Sequence, residues 1–378
     1  MMKLCIEGWR TINHSYAMTN QRQLIELDKL PIILKHKDMP YYNQNWNELN
    51  NSSGFSKADS EIVKKIKAPS KDEIFDVMYR IFFPYNFEKS KAEKLFVFGT
   101  AEYQNIDDFY VNENPKEKNI RKNLKIITPS NWSKKGFVRG GFDSEQVIVL
   151  PHGIDRKSYY LIEDKKKNRI KENLGINSND FVISSVGAMT QNKGIDYLLV
   201  AFFILKKKYK NLKLILKDQS NLYQIYASQH IEKMKTSKYA NLLDEKALKD
   251  IIIISKNLPV SELNELYNIS DCYVSPYRAE GFNIPPLEAA ACGTPIIVTK
   301  GGSTDDYFNS RLGLQIESKL IHNQNNTMLD PNLDSLIECI SSILHKTNKY
   351  DKKNASKYVH DNYNWEKIIK KLFIIFNQ

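Results

Sequence analysis

Residues 275–308 read SPYRAEGFNIPPLEAAACGTPIIVTKGGSTDDYF. A β-rich run ends at Ser275-Pro276, and a loop then carries Glu280-Gly281-Phe282-Asn283. Pro285 and Pro286 follow, where a helix can begin, because the first helical positions need no amide hydrogen bond. Gly293 is a natural residue just past a helix end, and Pro295 prevents continuation. The run PIIVT (295–299) is the next strand, and a short helix capped by Ser303 is expected after Gly301-Gly302. The pattern is strand, loop, helix, strand: one parallel βαβ unit.

The same alternation extends on both sides. FVISSVG (181–187), LKLILKD (212–218), DIIIIS (250–255) and CYVSP (272–276) read as strands. GIDYLLVAFFILKKKY (194–209), SELNELYNIS (261–270) and residues 285–292 read as helices. In the first half, residues 2–7, 31–37, 94–100, 124–130 and 146–155 read as strands and residues 14–30 and 131–142 as helices. Residues 42–60, rich in Asn and Ser, read as a loop, and the Lys-rich 156–179 as a linker with its first helix. A chain of 378 residues is long for one core and suggests two domains. The expected fold class is α/β, with two doubly wound Rossmann-like domains, residues 1–155 and 156–360, facing across a cleft. Ligands of such sheets bind beyond the carboxyl ends of the strands.

The loop before Pro285 brings backbone amides to a helix N-terminus, a site suited to phosphate. Glu280 and Glu288 flank it, and ionised carboxylates accept hydrogen bonds from hydroxyl-rich ligands. A pyrophosphate between two carboxylates describes a nucleotide sugar, ribose on one side and hexose on the other. The pattern E-G-F-x-x-P-x-L-E-A-x-A-C-G-x-P-I-I resembles the donor signature of GT-B retaining glycosyltransferases of family 4, the glycosyl transferases group 1. VLPHGID (149–155) resembles that family's domain junction, VGAMTQNKGIDYLLVAF (186–202) its Gly…Lys-Gly turn and following helix, and YNWEKIIKKL (363–372) its terminal helix. Residues 361–378 are thus expected to cross back onto the first domain.

The resemblance implies roles residue by residue. Glu288 holds the ribose hydroxyls, and Glu280 approaches the donor sugar and its transition state. Gly281, Phe282 and Asn283 line the phosphate and sugar, with Phe282 equally readable as a buried loop anchor. Lys193 supplies positive charge to the departing diphosphate. An arginine usual after the glycine of the first strand is absent, since Gly187 is followed by Ala188. Lys217, at the end of the neighbouring strand, is a candidate replacement; otherwise it is an exposed strand-end lysine. Base recognition is expected from backbone near Asn257 and Leu258. In the first domain, Asn13 and His14 occupy the place of a glycine-rich loop, His14 as a catalytic candidate. Glu102, in FGTAEYQN, is an acceptor-side candidate, and Tyr85 reads as a packing residue.

The leading expectation is an enzyme transferring a hexose from a UDP- or GDP-linked donor to a hydroxyl acceptor, such as a glycan or glycolipid. The resemblance implies a front-face mechanism without metal or further cofactor; Asp305-Asp306 reads as a helix cap. The alternatives are a nucleotide-sugar epimerase or phosphorylase, and a binding protein without transfer activity. The net charge of +11 rests on 46 lysines and only nine arginines. Arginine forks dominate base and phosphate recognition, so nucleic acid is not an expected partner. Four scattered cysteines without a CxxC pair suit a reducing cytoplasm. No long apolar run predicts a membrane span, and no signal core opens the chain. In residues 364–376, Trp365, Ile368, Ile369, Leu372 and Ile375 share a helical face beside lysines, which fits packing on the first domain or a weak peripheral membrane contact.

Overall fold

KLCIEG at Lys3–Gly8 forms strand β1, flanked in parallel by Ile33–Asp38 (β2) and Val77–Ile81 (β3). These strands belong to a computed structural model that describes residues 1–106, 110–111, 123–347 and 349–378. The chain divides into two compact units. The first comprises Met1–Gly153, Gln324–Asn326 and Tyr363–Gln378, and the second Ile154–Asn323 and Thr327–Asn362.

The sheet of the first unit adds Lys94–Phe98 (β4), Leu124–Thr128 (β5) and Val147–Val149 (β6). Its order is β2-β1-β3-β4-β5-β6, with every neighbour parallel. Ser15–Leu27 (α1) follows β1, capped by His14. Trp365–Asn377 (α2) packs in this unit through Trp365, Ile368, Ile369, Leu372 and Phe376. The Phe376 ring meets Tyr79 of β3 and Phe96 of β4. Phe376 thus takes the place on the buried face that the sequence suggested for Ile375. The stretch 42–60 is not wholly loop: Glu48–Asn51 forms one helical turn and Lys57–Lys65 a helix.

The sheet of the second unit comprises Phe181–Val186 (β7), Leu212–Lys217 (β8), Ile251–Ile254 (β9), Cys272–Ser275 (β10), Ile296–Thr299 (β11) and Gly313–Ile316 (β12). Its order, β9-β8-β7-β10-β11-β12, is the doubly wound order of dinucleotide-binding sheets. The all-parallel sheet is buried on both faces, which is why its strands read as continuous apolar runs. Ile195–Lys208 (α3) fills one face, setting Leu198, Leu199 and Phe202 against Ile183, Leu214 and Val274. Val260–Ile269 (α4) and Ile284–Ala291 (α5) precede and follow β10. An antiparallel hairpin, Ser318–His322 with Thr327–Pro331, and helices Leu333–Leu344 and Lys352–Asn362 complete the C-terminal part.

No helix among the described residues is long and apolar enough to cross a membrane. All four cysteines are free thiols.

Candidate functional site

The strand order of the second unit reverses between β7 and β10, so the loops leaving these two strands diverge at a switch point. The loop after β7 runs through Gly187 to a 3₁₀ turn, Gln191–Lys193, and into α3. The loop after β10 carries Glu280. Their side chains meet: Lys193 Nζ donates to Glu280 Oε1 at 2.5 Å. Glu280 is only 6% exposed. A buried carboxylate is tolerable when paired and hydrogen-bonded, and this one is.

The backbone fixes that meeting. The N–H groups of Arg278 and Ala279 donate to Asn192 O at 2.6 and 3.4 Å. The Arg278 guanidinium donates to Gln191 O at 2.8 Å, forks onto the Asp196 carboxylate at 2.8 and 2.5 Å, and lies over the Tyr197 ring. Gly194 is left-handed (φ +69°), and a Cβ there would stand 1.9 Å from Pro276 O. The glycine of Lys-Gly is therefore required by close approach of the two loops as well as by its dihedral. Gly187 has φ +147°, and beyond its two chain neighbours nothing lies within 4 Å of where its Cβ would be. That leaves its backbone approachable by a ligand.

Asn283 caps α5 in a left-handed conformation (φ 66°), which Asn tolerates better than most residues. Its Nδ2 donates to Ser275 Oγ at 3.0 Å, and its carbonyl accepts from the Tyr307 hydroxyl at 2.8 Å. Gly281 is buried beside it, and the Phe282 ring packs on Tyr307 with centroids 5.1 Å apart. The Phe282 side chain therefore anchors the loop in the core. Ile284 opens α5, so Pro285 and Pro286 fall at its second and third positions and remove two amides from its first turn.

Glu288 lies one turn further, half-buried, with Oε2 accepting from the Tyr267 hydroxyl of α4 at 2.8 Å. Tyr273 of β10 ties its hydroxyl to the backbone of Val186 in β7. Burial, then the charges of Glu280 and Glu288, push the Tyr273 phenol up. Both carboxylates thus act on one phenol. Tyr267, Tyr273, Asn192 and Arg278 were not singled out from the sequence. The first two look like strand and helix core, and only the position of Asn192 directly before Lys-Gly gave a signal.

Lys217 is not an exposed strand-end lysine. It is buried at the end of β8, its ammonium donating to Asp218 O, while its own carbonyl accepts from Gly187 N–H at 3.0 Å. Burial pushes the ammonium down to about 8, against the opposing pull of the Asp218 carboxylate. Ala188 is buried where the arginine is absent. Leu258 is buried and Asn257 half-buried just before α4. Asp305 accepts from Gly301 N–H at 2.9 Å and Gln315 Nε2 at 2.7 Å. It lies inside a 3₁₀ turn, Ser303–Asp306, whose capping position is Gly302 and not Ser303. Among the described residues no group of three or more His, Cys, Asp or Glu could hold a metal ion.

In the first unit, His14 Nδ1 accepts from Tyr16 N–H at 3.2 Å as the cap of α1. Its ring packs between Trp9 and Trp46 at 5.0 and 5.1 Å, and burial pushes the imidazole down to about 3. With Nδ1 accepting from Tyr16 N–H, the neutral ring carries its proton on Nε2, as a hydrogen-bond donor. Asn13 is fixed by its N–H to Asn51 O at 2.6 Å. Glu102 is half-exposed on a loop held by Trp132 Nε1 to Glu102 O at 2.6 Å and by Ala101 N–H to Ser133 Oγ at 2.7 Å. Tyr85 packs, its hydroxyl donating to Thr100 O at 2.5 Å.

A family model described as glycosyl transferases group 1 matches residues 166–360, just over half of the chain, and the chain belongs to that family. Among curated relatives, lipopolysaccharide 1,2-N-acetylglucosaminetransferase of Salmonella typhimurium is 24% identical over 65% of this chain and 59% of that protein. Mannosylfructose-phosphate synthase of Agrobacterium fabrum is 24% identical over 43% of this chain and 34% of that protein. The chain thus spans less than two thirds of the length of these relatives. HepE of Anabaena, solved in complex with UDP and glucose, superposes with a TM-score of 0.66 at 12% identity, covering 100% of both chains. Sucrose-phosphate synthase from Thermosynechococcus elongatus gives 0.69 at 14% identity, covering 100% of this chain and 99% of that one. At such identities the likeness is one of fold, the GT-B class built from two Rossmann-like units.

Proposed function

We propose that the protein transfers a hexose from a nucleoside-diphosphate sugar to a hydroxyl acceptor, with retention at the anomeric carbon and without a metal ion. The observation that carries this reading is the Lys193–Glu280 pair at the switch point, with Glu288 on the adjoining helix. Lys193 neutralises the diphosphate as the bond from the anomeric carbon to the phosphate oxygen breaks and its electron pair goes to that oxygen. The acceptor oxygen bonds to the anomeric carbon from the same face, and the leaving phosphate takes the acceptor proton. Glu280 meets the hexose hydroxyls and favours the positive charge developing at the anomeric carbon. Glu288 holds the ribose diol. No further cofactor is called for.

The solved complexes of HepE with UDP and with UDP-glucose support a UDP-linked donor as the first to try, ahead of GDP-linked ones. The relative acting on lipopolysaccharide supports a glycan or glycolipid acceptor. A cytoplasmic location goes with four free thiols. The buried Ala188 favours one second reading, a donor-binding protein that does not transfer.

Release of nucleoside diphosphate from a panel of UDP-, GDP- and ADP-hexoses separates the two readings. Glu288→Ala should weaken nucleoside-diphosphate binding by about 1.5–3 kcal/mol, the value of hydrogen bonds to a charged partner. Glu280→Gln should leave that affinity near normal and lower turnover by roughly 10²–10³. Lost nucleotide binding in Glu280→Gln, with turnover intact at saturating donor, would place the sugar at the other end of the loop. Binding of a nucleotide sugar with no release from any donor would establish the second reading.

A further inference from the structure

The Lys193–Glu280 pair joins two loops that are 87 residues apart in the chain. Each loop alone has latitude. The 3₁₀ turn of Lys193 is only three residues long, and the loop from Pro276 to Asn283 has no regular structure of its own. Side chains on such segments drift unless the backbone beneath them is tied.

Beside the Arg278 fork, Asn192 ties the two loops through both its backbone and its side chain. It is 4% exposed and immediately precedes Lys193. Its backbone carbonyl accepts from the N–H groups of Arg278 and Ala279 in the Glu280 loop. Its side-chain Nδ2 donates back to Ala279 O at 2.8 Å, one residue before Glu280. Its Oδ1 accepts from Thr190 Oγ1 at 2.5 Å within its own loop. The side-chain amide thus spends its donor on one loop and its acceptor on the other, which sets its plane and its O/N orientation. No aspartate could do the same, because a carboxylate would face Ala279 O without a proton. No alanine could, because Ala279 O and the Thr190 hydroxyl would be left without these partners in a buried place.

We propose that Asn192 is a positioning residue of the transfer site: it fixes the distance between Lys193 Nζ and the Glu280 carboxylate, and acts on turnover through Lys193 without touching the substrate. The inference rests on the function proposed above. Misplacing a charge by about 1 Å in a preorganised site can cost on the order of 100-fold in rate. Such a loss reaches the nucleoside end only weakly, because Glu288 sits on a separate helix with its own partner, Tyr267.

The test is a double-mutant cycle on the full chain, read as release of nucleoside diphosphate from whichever UDP-, GDP- or ADP-hexose the wild type hydrolyses fastest. Release is followed over hours so that slow variants remain measurable. Asn192→Ala should lower kcat about 10- to 100-fold, with affinity for the matching nucleoside monophosphate, which lacks the terminal phosphate, within about 3-fold of wild type. Thr190→Val, which removes only the hydroxyl donated to Asn192, should fall between wild type and Asn192→Ala. In a Lys193→Ala background, Asn192→Ala should lower release no further, since the group it positions is gone. An equal loss in both backgrounds, or nucleoside-monophosphate affinity falling in step with kcat, would overturn the inference by showing a general structural role. If Asn192→Ala does not fold, Thr190→Val carries the cycle alone with the same two outcomes. If Lys193→Ala itself releases nucleotide at the wild-type rate, the proposed function fails first. A slow Lys193→Ala beside an unimpaired Asn192→Ala defeats this inference only.

Discussion

Lys217 shows what a single buried charge does at the end of an interior strand. Its folded-state value is about 8 against an ordinary 10.5. Between those values the unfolded chain holds a proton that the folded chain has released, so this group makes stability rise as pH climbs from about 8 towards 10.5. Below 8 both states are protonated, and the cost of burying the ammonium is fully present. Lys217→Met should therefore be the more stable chain at pH 7, with its margin shrinking at pH 9.5. Urea midpoints of both chains at the two pH values measure this. A margin that grows with pH would refute it. The same residue bears on donor binding. As a stand-in for the absent arginine, Lys217 would make UDP affinity fall as pH rises through about 8, and calorimetry should find that fall missing from Lys217→Met.

At the scale of elements, the two loops at the switch point are welded by a contact that admits no side chain. Gly194→Ala would need both a left-handed alanine and relief of a 1.9 Å approach to Pro276 O. We expect a loss of about 2–4 kcal/mol in urea unfolding, with turnover falling even where the fold survives. A variant of wild-type stability would mean that the loops separate freely. This weld explains why Lys-Gly was readable from the sequence: a glycine that must be glycine leaves a signature. The paired prolines of α5 were readable for a similar reason. Strand β3 was not. Its sequence, VMYRI, puts Arg80 into the middle of a sheet, where it looks like a surface residue. Arg80 Nε donates to Glu7 Oε2 of β1 at 2.9 Å, and Nη1 to three oxygens of Asn86 and Glu88. A buried ion pair between neighbouring strands cancels the polarity that periodicity relies on, and only the fold shows the partner. Tyr267 was hidden in the opposite way, as an apolar helix residue whose one polar atom reaches Glu288.

For the whole molecule, the defining fact is that the first unit is discontinuous. Residues 363–378 belong to it, although the 209 residues from Ile154 to Asn362 lie between them and Gly153. Trp365 fits so closely that a Cβ on Gly153 would stand 2.7 Å from its Cα. Ending the chain at Asn362 should expose Tyr79 and Phe96 and leave the first unit open to protease, while the second stays resistant. Limited proteolysis with mass spectrometry reads the difference, and equal resistance of both units would contradict it. By contrast, Lys370→Glu with Lys371→Glu alters only the exposed face of α2, and should cost little stability while weakening any salt-sensitive adsorption to anionic vesicles.

Synthesis on a ribosome proceeds from the amino end, and domains ordinarily fold in that order. Here that order cannot hold. The first unit emerges first but lacks a wall of its core until residues 363–378 have followed, whereas the second unit has all its residues earlier. The leading half of the nascent polypeptide must wait with apolar surface uncovered while the second unit completes, so any chaperone dependence of this protein should track residues 1–153 and be relieved once residues 363–378 have emerged.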